Sequence, residues 1–105
     1  MSAYFILTQT ITDLDAFRRD YIPKVMPILE KHSGEVLVAS FDATPLEGDP
    51  AQAAVVIRFP SQEAIIAFED DPEYQPAKRI RHDLTTNANA VMAPAFEYPS
   101  RETSR

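Results

Sequence analysis

Hydrophobic and polar positions alternate along the start of the chain. From Tyr4 to Ile11 they place Phe5, Leu7 and Ile11 on one face and Tyr4, Ile6, Thr8 and Thr10 on the other, the two-residue period of a strand with both faces partly covered. The period then changes. Leu14, Phe17, Tyr21, Val25, Ile28, Leu29 and His32 recur on one stripe at helical spacing, so a helix is predicted from about Leu14 to His32. Asp13 stands at its N-cap and Asp15 in its first turn, near the positive end of the helix dipole. Pro23 and Pro27 each delete a backbone donor, and both lie opposite the apolar stripe, so one helix is expected to be kinked or interrupted there. Ser33-Gly34 ends it, with the glycine supplying a residue free to take positive φ.

Further along, Glu35 to Phe41 reads as a second strand. Ala53 to Phe59, with its Val55-Val56-Ile57 centre, reads as a central one. Between them, residues 42 to 52 hold two prolines, a glycine and three acids, a long exposed hairpin loop. Ser61 caps a short helix ending near Asp70, and Asp71-Pro72 restarts another with proline at its first helical position. Ala88 to Tyr98 is a last strand, and Pro94 marks it as an edge or bulged one. Residues 99–105 read as a flexible tail after a single domain over 1–98. The order strand, helix, strand, strand, helices, strand predicts an α+β fold: a ferredoxin-like βαββαβ unit with a four-stranded antiparallel sheet and its helices on one face. The uncovered face would carry apolar side chains into water, which implies a homodimer.

Composition narrows the function classes. With 105 residues, 45% of them apolar and 25% charged, the chain is ordinary for one globular domain and can hide roughly 65% of its unfolded surface. It contains no cysteine, so disulfides, thiolate metal sites and cysteine nucleophiles are excluded. Sixteen acidic against ten basic residues give a net charge of -6, which argues against nucleic acid and anionic membranes as partners. The start of the chain lacks a basic export segment, so a cytoplasmic location is the expectation. His32 and His82 are the only histidines and are far apart in sequence, so no metal site is expected. The two glycines form no phosphate cradle, and no cofactor is expected.

Several strings then resemble one family. They are Tyr21 with Pro27, Glu30-Lys31-His32-Ser33-Gly34, Leu46-Glu47-Gly48, Phe59-Pro60-Ser61, and Asp71-Pro72-Glu73-Tyr74-Gln75 through Arg81. In order and spacing, from about Tyr4 to Pro94, they resemble the domain of unknown function 1330 family. That family sits within the dimeric α/β-barrel superfamily, beside antibiotic-biosynthesis-type monooxygenases and muconolactone-isomerase-like proteins. The resemblance implies a subunit whose sheet pairs with a second copy to close a barrel, and it implies no settled activity. The chain departs from the family pattern at Ala39-Ser40-Phe41, where glycines are usual, and at Phe68, where tryptophan is common.

Five residues are candidates for chemistry. Arg81 falls on the apolar face of the last helix, between Tyr74 and Ala77 and beside Leu84, whereas Lys78, Arg79, His82 and Asp83 point to its flank or to solvent. A guanidinium aimed inward needs a carboxylate, such as Glu47 or another acid, carbonyls, or else a ligand anion. Tyr21 is either a core ring or a pocket hydrogen-bond donor, and Tyr74 joins it as a substrate-binding candidate. His32 is a satisfied histidine at a helix end or a proton shuttle. Glu47 is a solvated loop acid that the resemblance raises to a catalytic candidate. Arg58, at the end of the central strand, is expected to salt-bridge across the dimer in preference to neighbouring the pocket. Two function readings follow: a cofactor-independent monooxygenase- or isomerase-like enzyme on a small acidic or phenolic compound, and a non-catalytic dimeric module that binds a metabolite or a partner.

Overall fold

In the computed structural model, which describes residues 2–49 and 51–97, the chain runs through four strands and three helices. The order is β1 (Ala3–Ile11), α1 over residues 14–31, β2 (Glu35–Ser40), β3 (Ala53–Phe59), α2 (Gln62–Asp70), α3 (Tyr74–Asp83) and β4 (Thr85–Pro94). The strands form one antiparallel sheet in the order β2-β3-β1-β4. This is the ferredoxin-like arrangement expected from the pattern. The tail expected from residue 99 lies outside the described residues.

Asp13 Oδ1 accepts the Ala16 N–H at 3.0 Å and so caps α1. The helix is α-helical over Leu14–Ala16, opens into a π-helical turn over Phe17–Tyr21, and returns to α-helix over Ile22–Lys31. The wide turn lies directly upstream of Pro23, where an α-helical turn would drive the pyrrolidine ring against the carbonyl four residues back. The interruption expected from the prolines is therefore an inserted π turn, and Pro23 and Pro27 both stay on the exposed side. At the end of α1 it is Ser33, with φ of 61°, that takes the left-handed conformation expected of Gly34. Gly34 has a different reason to be small. A Cβ there would meet Phe59 Cε2 and Cζ at 3.0 Å and Leu29 Cδ2 at 3.3 Å.

The core lies between the helices and one sheet face. Phe5, Leu7, Ile57 and Phe59 pack against Phe17, Tyr21, Val25 and Leu29 of α1 and against Ile65, Phe68, Tyr74 and Ala77 of α2 and α3. Each large side chain buried this way is worth about 1.5–3 kcal/mol. Ser61 Oγ caps α2 by accepting the Ala64 N–H at 3.1 Å. Asp71 Oδ1 accepts the Glu73 N–H at 2.9 Å within the turn that precedes α3, so the helix begins at Tyr74 with Glu73 as its N-cap, not at Pro72 under an Asp71 cap as expected. Strand β4 is an edge strand beginning at Thr85 instead of Ala88. Its pairing with β1 shifts register between Thr8 and Thr10, and Asn87 has a φ of 53°.

The other sheet face is open. Val38 pairs with Val56, Val56 with Ile6, and Ile6 with Val91, so one row of branched apolar side chains crosses all four strands. One row over, Glu35, Arg58, Tyr4 and Ala93 stand in register. There Arg58 is bound to Glu35 of the same chain.

Candidate functional site

A cavity of about 360 Å³ lies between α1 and the sheet. Its walls are almost entirely apolar, built from Phe5 and Leu7 of β1, Val55 and Ile57 of β3, Val36 and Ala39 of β2, and the inner side of α1. Phe17, Phe41, Phe68, Tyr21 and Tyr74 add flat aromatic surface. The rings brace one another: Phe17 lies 4.8 Å from Tyr21 and Phe68 lies 4.3 Å from Tyr74, centroid to centroid. Of the positions where the chain departs from the family pattern, Ala39, Phe41 and Phe68 line this cavity and Ser40 does not. Toward the long loop, Arg18 stacks over Phe41, its Cζ 5.0 Å from the ring centroid.

Polar groups in the cavity are few. The Tyr21 and Tyr74 hydroxyls are 3.1 Å apart and buried. In such a pair one hydroxyl donates and the other accepts, which leaves the acceptor's own proton free to donate. Burial, reinforced by the neighbouring Tyr74, pushes the Tyr21 phenol well above its ordinary pKa, so the Tyr21 hydroxyl keeps its proton and acts through hydrogen bonds. Gln9 is the third polar group, 1% exposed among apolar neighbours. Its Oε1 accepts from Arg81 Nη1 at 3.0 Å. Because arginine only donates, this bond fixes which end of the amide faces Arg81 and leaves the Gln9 amide nitrogen as the end with capacity to spare.

The sequence-derived candidates separate in space. Tyr21 and Tyr74 meet in the cavity. Arg81 is buried on the inner face of α3, but it stands behind Gln9 and does not line the cavity. No carboxylate reaches it. Its partners are Gln9 and, through Nη2, His82 Nε2 at 3.3 Å, so the expected ion pair with Glu47 or another acid is absent among the described residues. His82 thus turns toward Arg81 instead of only outward, and burial beside the Arg81 and Lys78 charges lowers its pKa. Glu47 is exposed in the long loop, away from the cavity lining.

His32 also stays outside the cavity. Its Nε2–H donates to Asp71 Oδ2 at 2.7 Å, and its ring packs edge-on to Phe68. The same carboxylate takes Lys31 Nζ at 2.8 Å. Asp71 therefore ties the end of α1 to the start of α3. Lys31, His32 and the Glu73 N–H hold its pKa well below the usual carboxylate range. Among the described residues no group of three or more His, Asp or Glu side chains is placed to hold a metal, and no helix is long and apolar enough to cross a membrane.

Gln9 and Arg18 line the cavity although neither is a sequence-derived candidate, and Phe17 of the helical stripe and Phe41 of the departure from the family pattern join them there. Gln9 had a signal, since it sits two residues from both Leu7 and Ile11 on the buried face of β1. Phe41, expected as the last residue of the second strand, falls just past the end of β2 at Ser40.

The model of the Domain of unknown function (DUF1330) family matches residues 2–96, and the chain belongs to that family. No curated protein matches it significantly. Among solved structures it is similar to the RPA0582 protein of unknown function from Rhodopseudomonas palustris, with a TM-score of 0.76 at 14% identity over 92% of this chain and 84% of that one. A dimeric protein of unknown function and ferredoxin-like fold from Bacteroides fragilis gives a TM-score of 0.62 at 13% identity, over 90% of this chain and 96% of that one. SnoaB, a cofactor-independent oxygenase from Streptomyces nogalater, gives 0.64 at 14% identity, over 92% of this chain and 95% of that one. At such identities the likeness is one of fold.

Proposed function

We propose that the cavity beneath α1 binds a small, flat, largely apolar molecule that carries one oxygen able to hydrogen-bond to the Tyr21–Tyr74 pair. The observation that supports this reading is the spare hydroxyl proton of that pair, held in a cavity whose other surface is aromatic and aliphatic. The volume lies at the low end of the roughly 300–1,000 Å³ usual for ligand sites, and a few placed polar groups within an apolar lining are the usual design. A phenol or an aryl ketone fits this chemistry. An aryl carboxylate fits less well, because Arg18, the cation on this lining, is exposed and stacked on Phe41, which leaves a charge deeper inside stripped of water and without a buried cation. The reading therefore keeps the phenolic branch of the sequence expectation and sets aside the acidic one for this cavity.

Among the described residues the cavity lining contains no Asp, Glu, His or Lys, so the function proposed for it is binding, and Glu47 and His32 have no proton to move there. Cofactor-independent oxygenation of a bound phenol is the second reading. It rests on the fold shared with SnoaB and on the apolar walls. We also propose that two copies pair through the open sheet face, with the Val38–Val56–Ile6–Val91 row at the centre of the contact.

A titration of 15N-labelled protein with 2-naphthol tests the location. Amide shifts are expected at Leu7, Tyr21, Ala53 and Tyr74, with naphthalene-2-carboxylate far weaker. Shifts elsewhere, or equal binding of the carboxylate, would overturn the reading.

A further inference from the structure

Arg81 presents a problem that the cavity does not solve. Its side chain is 4% exposed, yet among the described residues it meets no carboxylate, and its Nε is buried without any hydrogen-bond partner. A guanidinium does not lose its proton to escape such a setting, so the charge persists and calls for an anion. The neutral partners Gln9 and His82 satisfy two of its donors and none of its charge.

Beside Arg81 lies a second hollow. It is an open cleft of about 580 Å³ on the far side of Phe5 and Leu7, between α2, α3 and the edge strand β4. Its floor is apolar, with Ala88, Ala90 and Met92 of β4 facing Ile66 of α2, and Lys78, Arg81 and His82 line its other side. The small alanines keep the floor low: Ala90 pairs with Leu7 on the helix-facing side, where a larger residue would fill the space. Two acids also line the cleft. Glu69 is committed to Lys78 at 2.7 Å, so that pair is neutral as a unit and Arg81 keeps the uncompensated charge. Asp70 forms no ion pair among the described residues, and its repulsion favours the Arg81 end for an incoming anion.

From this geometry we infer that the cleft between α2, α3 and β4 is a separate binding site for a small amphiphilic carboxylate, its carboxylate on Arg81 and its apolar body on Ala88, Ala90, Met92 and Ile66. The apolar floor and the unpaired cation are both needed, since either alone would select a different ligand. Arg81 stands in the wall between the two sites, with Nη1 on Gln9 of the aromatic cavity and Nη2 on His82 of the cleft.

Sodium hexanoate is the probe, with hexan-1-ol and inorganic phosphate as controls at matched ionic strength, read by amide shifts of 15N-labelled protein. Hexanoate is expected to shift Ile66, Lys78, Arg81 and Ala90, and to bind roughly tenfold or more tightly than either control, as a charge-assisted hydrogen bond plus apolar contact requires. Ala90→Leu, which fills an exposed floor position and leaves the fold alone, should abolish these shifts. Arg81→Met should abolish them too, and if that variant does not fold, Ala90→Leu decides. The proposal is overturned by absence of hexanoate shifts, by shifts confined to Tyr21 and Tyr74, or by parity with hexanol or phosphate. It is equally overturned by binding that survives Ala90→Leu, or by cleft shifts that follow protein concentration instead of hexanoate, which would assign the cleft to a second copy.

Discussion

Arg81 and Gln9 come from opposite layers of the molecule, α3 and β1, and meet at 3.0 Å with both side chains buried. The bond joins a permanent charge to a neutral amide inside an apolar core, so each side chain is the other's main protection against burial without a partner. Deleting one leaves the other orphaned, at a cost of about 1–3 kcal/mol, whereas replacing both with apolar groups of similar shape can be nearly neutral. Gln9→Leu and Arg81→Met are each expected to lower the denaturant midpoint by that order. The double variant should lose less than the sum, and Arg79→Met on the exposed side should change nothing. Additive losses in the cycle would show that the two side chains do not depend on each other.

Ser33 and Gly34 exchange the roles that their identities suggest, and opposite substitutions expose this. Gly34→Ala puts a methyl 3.0 Å from the Phe59 ring, which is 1% exposed and must shift to make room, so a loss of about 1–3 kcal/mol is expected. Ser33→Gly removes a side chain from positive φ and should gain roughly 0.5 kcal/mol, the left-handed penalty less the entropy cost of glycine. Urea midpoints of the two variants check both signs. A stable Gly34→Ala would mean that this corner is looser than its contacts.

The helix junction at Asp71 sets an acid limit. Its folded pKa is held down by Lys31 first, then by His32 and the Glu73 N–H. In the acid range the unfolded state therefore binds the proton more readily than the folded one. The sign follows: this stabilisation is fully present above the ordinary carboxylate pKa of about 3.9 and is lost as pH falls below it toward the depressed folded value. Unfolding free energy measured from pH 6 down to pH 2 should fall more steeply for the native chain than for Asp71→Asn. Parallel curves would remove Asp71 as the source.

The open sheet face gives a concentration-dependent expectation. Sedimentation should show about twice 11.8 kDa for the native chain. Ile6→Glu, placed in the middle of the Val38–Val56–Ile6–Val91 row, should give a folded monomer, because Ile6 is already 37% exposed in the single chain. A native chain that stays monomeric at all concentrations, or an unaffected Ile6→Glu dimer, would show that this face does not hold two copies together.

How much of this could be read from the sequence depended on how directly local pattern controls each feature. Ala53 to Phe59, the Ser61 cap and the inward phase of Arg81 follow from period and capping chemistry, which act over a few residues, and the structure keeps all three. Partner identity is a long-range matter. The spacing on α3 turned Arg81 inward, but only the packing of α3 over β1 set Gln9 opposite it instead of an acid, across 72 positions of sequence. His32 lay on the apolar stripe with Tyr21, yet the π turn and the end of α1 delivered it to Asp71 while Tyr21 reached the cavity. The β4 start was missed because Thr85 and Thr86 precede Asn87 at positive φ, which breaks the alternation that marks a strand.

The central claim is that the Tyr21–Tyr74 pair offers a hydrogen bond to a flat apolar ligand, and calorimetric titration of 2-naphthol into four proteins tests it most directly. Either hydroxyl can be the one with the spare proton, so the single variants Tyr21→Phe and Tyr74→Phe should each weaken binding less than the double variant does. The double variant removes the hydrogen bond outright while keeping both rings, and it should bind roughly three- to tenfold more weakly than the native chain, the worth of about 0.5–1.5 kcal/mol. Native affinity in the double variant, or no heat of binding in the native chain, would contradict the account.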